Sequence, residues 1–199
     1  MPTRLIAGDF LFRTKAQARQ TLEARRRALS SEEVVAKGRE AQQRLLSLSF
    51  FQEARVVGLY AAQAFEVPTS TLAAAIRQRG GTVCYPRVVR GLRPLAFHSV
   101  PNEAALVAAA YGVREPSPGQ PETALEAIDV LVVPGVGFTR AGERLGRGGG
   151  HYDATLAAPS FRGLSVGLAF ADCVIDKLPT EGHDRNVKWV VSDIEAVST

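Results

Sequence analysis

The sequence predicts an α/β fold: a single domain of three layers, in which helices flank a largely parallel or mixed central sheet. Strand-like apolar runs alternate with segments of helical periodicity along the chain. The run Val130–Val133 is wholly apolar, which is typical of a strand buried on both faces of a sheet. With 199 residues, 46% of them hydrophobic, the chain can bury a substantial core. We expect residues 1–199 to form one domain, with residues 1–12 as a flexible N-terminal extension.

Two helices are predicted first along the chain. In residues 13–29, Ala18 and Leu22 fall on one apolar stripe. Ser30 and Glu33 have the spacing of a capping box, which indicates the start of a second amphipathic helix. The sequence then predicts, in order, a strand at 55–61, a helix from the turn at 67–68 to about 79, strands at 82–85 and 95–99, an Ala-rich helix at 103–110, a loop at 116–121, and strands at 129–133, 164–169 and 188–191.

A glycine-rich loop follows the strand at 129–133. Gly148, Gly149 and Gly150 lead directly into a helical segment, and Arg144 and Arg147 precede them. A strand, a glycine loop and a helix start together present backbone N–H groups to an anion, and arginine adds donors suited to phosphate. A P-loop needs Lys-Ser or Lys-Thr after the glycines, and a dinucleotide loop needs glycine at position 151; the chain has neither. A surface loop without a ligand is the alternative, but the flanking charges favour phosphate binding of another kind.

Length and composition agree with a compact soluble protein. The net charge is +4 with acidic residues scattered throughout, and no basic stripe with interleaved aromatic residues predicts nucleic-acid binding. The run Arg25-Arg26-Arg27 is interpreted as the solvated face of a helix. No apolar segment is long enough for a membrane span, and the first residues lack the pattern of a secretory signal. We therefore expect a cytoplasmic protein without membrane or nucleic-acid partners.

The segment R-L-G-R-G-G-G-H-Y-D at residues 144–153 resembles the signature R-L-G-x-G-G-G-Y-Y-D of the 5-formyltetrahydrofolate cyclo-ligases, or methenyltetrahydrofolate synthetases. The likeness covers roughly residues 13–193. Further matching segments occur in the family's order: Lys15 and Arg19 (K-x-x-x-R), Glu66 (E-V/I-x-T-x-x-L), Tyr85–Val88 (Y-P-R-V), Gly112–Pro116 (G-I-x-E-P), and Leu178-Pro179 with His183-Asp184 (L-P-x-x-x-H-D).

The resemblance implies ATP as co-substrate and Mg²⁺ as cofactor. Lys15 and Arg19, four residues apart on one helix face, would contact the ATP phosphates; solvated charges are the alternative. Asp153 and Asp184 would bind Mg²⁺, although Asp153 would also suit a first helical turn and Asp184 a simple turn. The implied ATP-binding loop comprises Arg144, Leu145, Gly146, Arg147, Gly148, Gly149, Gly150, His151, Tyr152 and Asp153. Chain order alone does not indicate on which side of the sheet Asp184 lies.

The same resemblance implies a reduced folate as the second substrate. Glu66 would accept hydrogen bonds from the amino and ring N–H groups of the pterin, with a turn or cap role as the alternative. Gly148, Gly149, Gly150, His151 and Tyr152 would also contact the folate, and Arg144, Arg147 and Tyr152 would be catalytic. The chain departs from the family pattern at Thr139 (aspartate), His151 (tyrosine) and Asn186 (proline).

The implied function is the conversion of 5-formyltetrahydrofolate to 5,10-methenyltetrahydrofolate with release of ADP and phosphate. ATP would phosphorylate the formyl oxygen, and N10 would then close the ring. Two other functions remain open at this point. One is an ATP-dependent ligase or phosphotransferase of similar fold with another substrate. The other is a nucleotide-binding regulatory module without turnover.

Overall fold

The computed structural model describes residues 12–199, apart from the side chain of Tyr111. Within that part of the chain the helices are α1 (Lys15–Arg27), α2 (Ser31–Leu46), α3 (Ser49–Glu53), α4 (Ser70–Gln78) and α5 (His151–Ala157). The strands are β1 (Val56–Gly58), β2 (Thr82–Arg87), β3 (Ala96–Ser99), β4 (Leu106–Ala108), β5 (Arg114–Pro116), β6 (Glu122–Thr123), β7 (Val130–Val133), β8 (Gly137–Thr139), β9 (Arg144–Leu145), β10 (Leu164–Leu168), β11 (Val174–Ile175), β12 (Trp189–Val191) and β13 (Ala196–Ser198).

Eight strands form the central sheet, in the order β13-β12-β10-β7-β1-β2-β3-β6. The five strands from β12 to β2 run parallel to one another. The outer strands β13, β3 and β6 pair antiparallel. A largely parallel sheet with antiparallel edges confirms the predicted fold class.

The sheet separates two layers of helices. On β7, Val130 and Val132 point into a cluster that contains buried residues of α2, α3 and α4. Leu131 and Val133 point the other way, into a cluster against which α5 packs. Because side chains alternate across a strand, the wholly apolar run in β7 is explained by burial on both faces.

The starts of the first two helices are fixed by side-chain caps. Thr14 caps α1 by accepting from the backbone N–H of Gln17 at 3.2 Å. The predicted capping box is present at α2: Ser30 Oγ accepts from the N–H of Glu33 at 3.2 Å, and Glu33 Oε2 accepts from the N–H of Ser30 at 2.9 Å. Each reciprocal bond satisfies a donor that the helix leaves unpaired.

Two expectations are wrong. Residues 103–110 do not form a helix: after a short 3-10 turn, β4 pairs antiparallel with β5. The high helix propensity of alanine is outweighed by this pairing and by the burial of Leu106. The arginine run at 25–27 is not uniformly solvated either, since Arg26 is buried while Arg27 is exposed. Arg26 follows Leu22 by four residues and so shares its inward face.

Residues 1–11 lie outside the described residues, so the flexible extension at 1–12 stays a prediction, as does the single domain. Among the helices described here, none combines the length and apolarity that crossing a membrane requires.

A small second sheet positions the glycine-rich loop. It has the order β11-β8-β9, and β8 and β9 form an antiparallel hairpin directly after β7. Phe138 on β8 is fully buried, and its ring packs against Gly167 of the central sheet and Gly135. A Cβ at Gly135 would lie 2.6 Å from the Phe138 ring, so glycine allows this close contact.

Gly167→Ala tests this contact. The added methyl would clash with the Phe138 ring, and we expect the variant to lose about 1–3 kcal/mol of stability, or roughly 2–10 °C in Tm by calorimetry. Gly182→Ala is the matched control, because nothing lies within 4 Å of a Cβ there. Equal melting temperatures for both variants would show that Phe138 does not hold the two sheets together.

Candidate active site

The predicted site residues lie at the carboxyl edge of the parallel strands. The segment that carries Glu66 follows β1, and the glycine-rich loop follows the adjacent strand β7. Arg147 joins the two segments: its Nη2 lies 2.9 Å from Glu66 Oε1, and its Nη1 donates to the side-chain oxygen of Gln63. Glu66 Oε2 also accepts from the backbone N–H of Gln63 at 2.9 Å. The alternative turn role of Glu66 therefore coexists with its position in the site.

Helix α1 crosses this edge and brings two cations to it. Arg19 Nε donates to the carbonyl oxygen of Gly146 at 2.8 Å. Lys15 Nζ lies 2.7 Å from Asp184 Oδ1 and 3.1 Å from Glu181 Oε2. These ion pairs place Asp184 on the same side of the sheet as the glycine loop, which chain order alone did not indicate.

The Lys15–Asp184 pair shifts both titrations toward the charged forms. Burial alone lowers the pKa of Lys15, but the hydrogen bonds and charges of Asp184 and Glu181 raise it above its usual value. Burial likewise raises the pKa of Asp184, but the hydrogen bonds from Lys15 and the Glu181 N–H lower it below its usual value. Both groups are therefore charged at neutral pH.

Arg144 and Asp153 form an ion pair beneath the loop. Their Nη2 and Oδ2 atoms are 2.8 Å apart, and the Arg144 side chain is only 4% exposed. Arg144 also donates to the carbonyl oxygen of Pro134 at 3.4 Å, and its guanidinium lies over the Tyr152 ring, 5.7 Å from the centroid. In this conformation Arg144 is an internal brace of the loop, whereas Arg147 is 48% exposed.

The glycine run has a backbone that only glycine adopts readily. Gly148 has φ +104° and Gly150 has φ +69°, both in the left-handed region. Among the described residues, the N–H groups of Gly148, Gly149 and Gly150 have no acceptor. Because α5 has only seven residues, it is the free N–H groups and the nearby cations, rather than the dipole of the helix, that make this loop suited to an anion.

His151, Tyr152 and Leu145 occupy different environments around the loop. His151 Nδ1 lies 2.9 Å from the carbonyl oxygen of Arg93, so Nδ1 carries a proton. Burial raises the pKa of Tyr152 far above its usual value although Arg144 opposes the shift, so the phenol stays neutral. Leu145 is fully buried, and its carbonyl accepts from the Val136 N–H at 2.7 Å. Leu145 thus anchors the loop in the core.

The departures at Thr139 and Asn186 leave the hairpin ordered. Thr139 is buried, and its Oγ1 accepts from the N–H of Glu143 at 3.2 Å. Asn186 Nδ2 donates to the carbonyl oxygen of Ala141 at 3.0 Å. Both side chains hold backbone groups of the β8–β9 hairpin, so neither departure disrupts the approach to the glycines.

The carboxylates suit a hard cation. Asp153 Oδ1 accepts from the N–H of Arg185 at 3.2 Å, and Asp184 belongs to the same loop, where Glu181, His183 and Asp184 each offer one ligand atom within 4.8 Å of the others. A carboxylate oxygen has two acceptor sites, so Asp153 and Asp184 can accept their present hydrogen bonds and still bind a cation. Carboxylate oxygens are the ligands that Mg²⁺ prefers.

The sequence did not reveal several residues that complete the site. Glu181 could have been found from its place beside His183 and Asp184. No sequence pattern indicated Gln63 or Arg93. Gln63 contacts Arg147 through its side chain, and Arg93 contacts His151 through its backbone carbonyl oxygen, which is independent of residue type. Arg26 could have been found from its spacing after Arg19, which puts both on one face of α1.

Comparisons with known proteins identify the family of the chain. The model of the 5-formyltetrahydrofolate cyclo-ligase family matches residues 12–193. The 5-formyltetrahydrofolate cyclo-ligase of Escherichia coli K12 is 30% identical over 175 residues, which span 84% of this chain and 94% of that protein. The mouse cyclo-ligase is 27% identical over 187 residues, with 89% and 92% covered.

A solved structure shares the fold. The NMR structure of Aquifex aeolicus 5,10-methenyltetrahydrofolate synthetase superimposes with a TM-score of 0.80 at 29% identity, and 92% of each chain is covered. With the signature loop, the matched length and the shared fold in agreement, the chain belongs to the 5-formyltetrahydrofolate cyclo-ligase family.

Proposed function

We propose that the chain catalyses the reaction of its family, the ATP-dependent conversion of 5-formyltetrahydrofolate to 5,10-methenyltetrahydrofolate. One observation carries the proposal: charged residues from four separate segments converge at one edge of the sheet, through Lys15–Asp184, Arg19–Gly146, Arg147–Glu66 and Arg144–Asp153. A network of cations around a glycine loop suits a polyanionic nucleotide. A ligase with another substrate or a regulatory module remains the alternative outcome of the first test below.

The reaction requires activation of a poor leaving group. The oxygen of a formamide does not depart readily. Transfer of the γ-phosphoryl group to that oxygen makes it part of a phosphate leaving group. N10 then attacks the formyl carbon and loses its proton, and the C–O bond breaks with the electrons leaving on phosphate. ADP and phosphate are released. Such chemistry needs positioning and charge neutralisation rather than a protein nucleophile.

The phosphates would be held by the glycine loop and α1. The free N–H groups of Gly148, Gly149 and Gly150 would donate to phosphate oxygens, and Lys15 and Arg19 would neutralise their charge. Arg147 is the arginine with the exposure needed to reach the transferred group. Asp153 and Asp184 would hold Mg²⁺, which supplies charge neutralisation on the phosphates.

The folate would lie on the Glu66 side of the loop. The Glu66 carboxylate would accept from the pterin N–H groups, and Tyr152 would offer a neutral phenol and ring beside Arg144. Arg147 stands between Glu66 and the loop, which suits a residue that meets both substrates. A cytoplasmic location and the absence of nucleic-acid partners stay predictions.

Incubation of the purified chain with ATP, Mg²⁺ and 5-formyltetrahydrofolate tests the activity. We expect the near-ultraviolet absorbance of the methenyl product to rise only when all three are present, with one ADP formed per product. Each two-component mixture is a control. ATP binding without product, with folded protein at several pH values, would support the regulatory module instead.

Arg147→Ala and Arg144→Ala should separate ligand binding from bracing. Arg147→Ala removes a half-exposed donor, and we expect ATP affinity by calorimetry to fall roughly tenfold or more with little change in Tm. Arg144→Ala leaves Asp153 without its buried partner and should lose about 3–5 kcal/mol of stability. The exposed Arg162→Ala is the control for loss of charge. If Arg147→Ala and Arg144→Ala both bind ATP as tightly as the Arg162→Ala control does, the loop does not hold phosphate.

Asp153→Asn tests the metal role. The change keeps the shape but removes the charge, so we expect half-maximal activity to need roughly tenfold more Mg²⁺, the equivalent of about 1.4 kcal/mol. Assays run well below the melting temperature of the variant, because the pair with Arg144 is also weakened. Asp176→Asn, at an exposed carboxylate, is the control. An unchanged Mg²⁺ dependence would leave Asp153 as a partner of Arg144 only.

A further inference from the structure

Helix α1 presents three cations along one face. Lys15, Arg19, Leu22 and Arg26 are separated by four, three and four residues, which places them on one stripe of the helix. At ~1.5 Å per residue, Arg26 lies about 10 Å beyond Arg19 along the axis. Lys15 and Arg19 reach Asp184 and the glycine loop, whereas Arg26 reaches Gly135, between β7 and β8.

Arg26 is buried without a matching anion. Arg26 is 7% exposed, and its Nη1 donates a long hydrogen bond of 3.3 Å to the carbonyl oxygen of Gly135. Its Nε has no hydrogen-bond partner, and no carboxylate among the described residues forms an ion pair with it. Burial of an unpaired cation is unfavourable. The Arg26 guanidinium therefore needs an acceptor that the described residues do not supply.

A narrow cavity lies beside this guanidinium. It is formed at the carboxyl ends of β1, β7 and β10, and Arg26, Tyr60, Phe65, Glu66 and Gly135 line it. The Tyr60 hydroxyl donates to the carbonyl oxygen of Val67 at 2.7 Å, and its oxygen does not accept from Arg26 Nε, which has no partner. The cavity therefore brings the unpartnered Nε–H of Arg26 close to the Glu66 carboxylate, and its volume of about 10 Å³ admits a single oxygen atom such as that of a carbonyl group.

Phe65 marks the same cavity by its backbone. It has φ +62°, the single positive φ of a non-glycine residue in the described part of the chain, and its side chain is 38% exposed. An aromatic residue in this region of φ is strained, and such strain is concentrated at ligand sites. The strain thus falls at the residue next to Glu66.

We infer that Arg26 is a specificity-determining residue that binds the carbonyl oxygen of the 2-amino-4-oxopyrimidine ring of the folate. That ring presents two N–H donors beside one carbonyl acceptor along its edge. Glu66 accepts from the donors, and Arg26 donates to the carbonyl oxygen. The inference rests on the proposed function, since it assigns one end of the cationic face of α1 to the folate while Lys15 and Arg19 serve ATP.

Arg26→Met separates this role from a structural one. Methionine keeps the length and apolar stem of the side chain, and removal of an unpaired buried charge is neutral or stabilising for the fold. We expect an unchanged or higher Tm. The KM for 5-formyltetrahydrofolate should rise about tenfold or more, as loss of a charged hydrogen bond predicts, while the KM for ATP changes less than about twofold. Arg27→Met, the exposed neighbour, should leave all three values unchanged.

A pair of analogues tests the atom that Arg26 recognises. In 2,4-diaminopteridine an amino donor replaces the carbonyl acceptor of 2-amino-4-oxopteridine, and it would face the Arg26 donors unfavourably. The diamino compound also lacks the N3–H that Glu66 would accept from. The unaltered protein should therefore bind the 4-oxo compound more tightly in calorimetry without ATP, and Arg26→Met should reduce that preference without abolishing it. If Arg26→Met does not fold, Arg26→Lys keeps the charge without the fork and should show the same reduction of that preference.

The possible failures are distinguishable. An unaltered protein that forms no methenyl product contradicts the proposed function itself. A turning-over protein whose Arg26 variants keep the KM for folate and the preference for the 4-oxo compound overturns the role of Arg26. A rise in the KM for ATP alone would assign Arg26 to the nucleotide and would overturn it equally.

Discussion

The buried ion pair between Arg144 and Asp153 is the interaction on which the site depends. The two residues stand on either side of the glycine run, in β9 and at the start of α5, and their atoms meet at 2.8 Å. The pair closes residues 146–150 into a fixed loop, so that the left-handed backbone at Gly148 and Gly150 is held in place. Breaking such a pair on one side leaves an uncompensated charge, which makes the loop sensitive to either residue.

The other charges of the site also neutralise one another. Lys15 pairs with Asp184, and Arg147 pairs with Glu66. Under the proposed function these pairs exchange partners: phosphate takes the cations, Mg²⁺ takes the aspartates, and the pterin takes Glu66. Because the members of these pairs have partners before and after binding, they avoid the cost of isolated charges near the core. Arg26 is the exception, since its partner would arrive only with the folate.

The sequence predicted the fold and the signature loop, but not the contacts between distant segments. Periodicity sufficed for α1 and α2, and apolar runs sufficed for β7 and β10. The prediction failed at residues 103–110, where alanine favours a helix but the pairing of β4 with β5 decides the structure. The strands β8, β9 and β11, two or three residues each, are too short to leave a period in the sequence.

Asp184 shows why the sequence could not predict the arrangement of the site. Neither its neighbours nor its position before β12 indicates which edge of the sheet it occupies. Two long-range contacts do so: the ion pair of Asp184 with Lys15, 169 residues away, and the hydrogen bond from the Arg185 N–H to Asp153. Arg26 shows the converse. Its spacing on α1 contained the signal, but the run of three arginines concealed that one of them is buried.

The central claim is that the formyl oxygen is phosphorylated before the ring closes. It is tested most directly with 5-formyltetrahydrofolate that carries ¹⁸O in the formyl group, followed by mass spectrometry of the released phosphate. The account predicts one ¹⁸O atom in the phosphate for each molecule of methenyl product. Unlabelled phosphate, formed together with methenyl product, would contradict it.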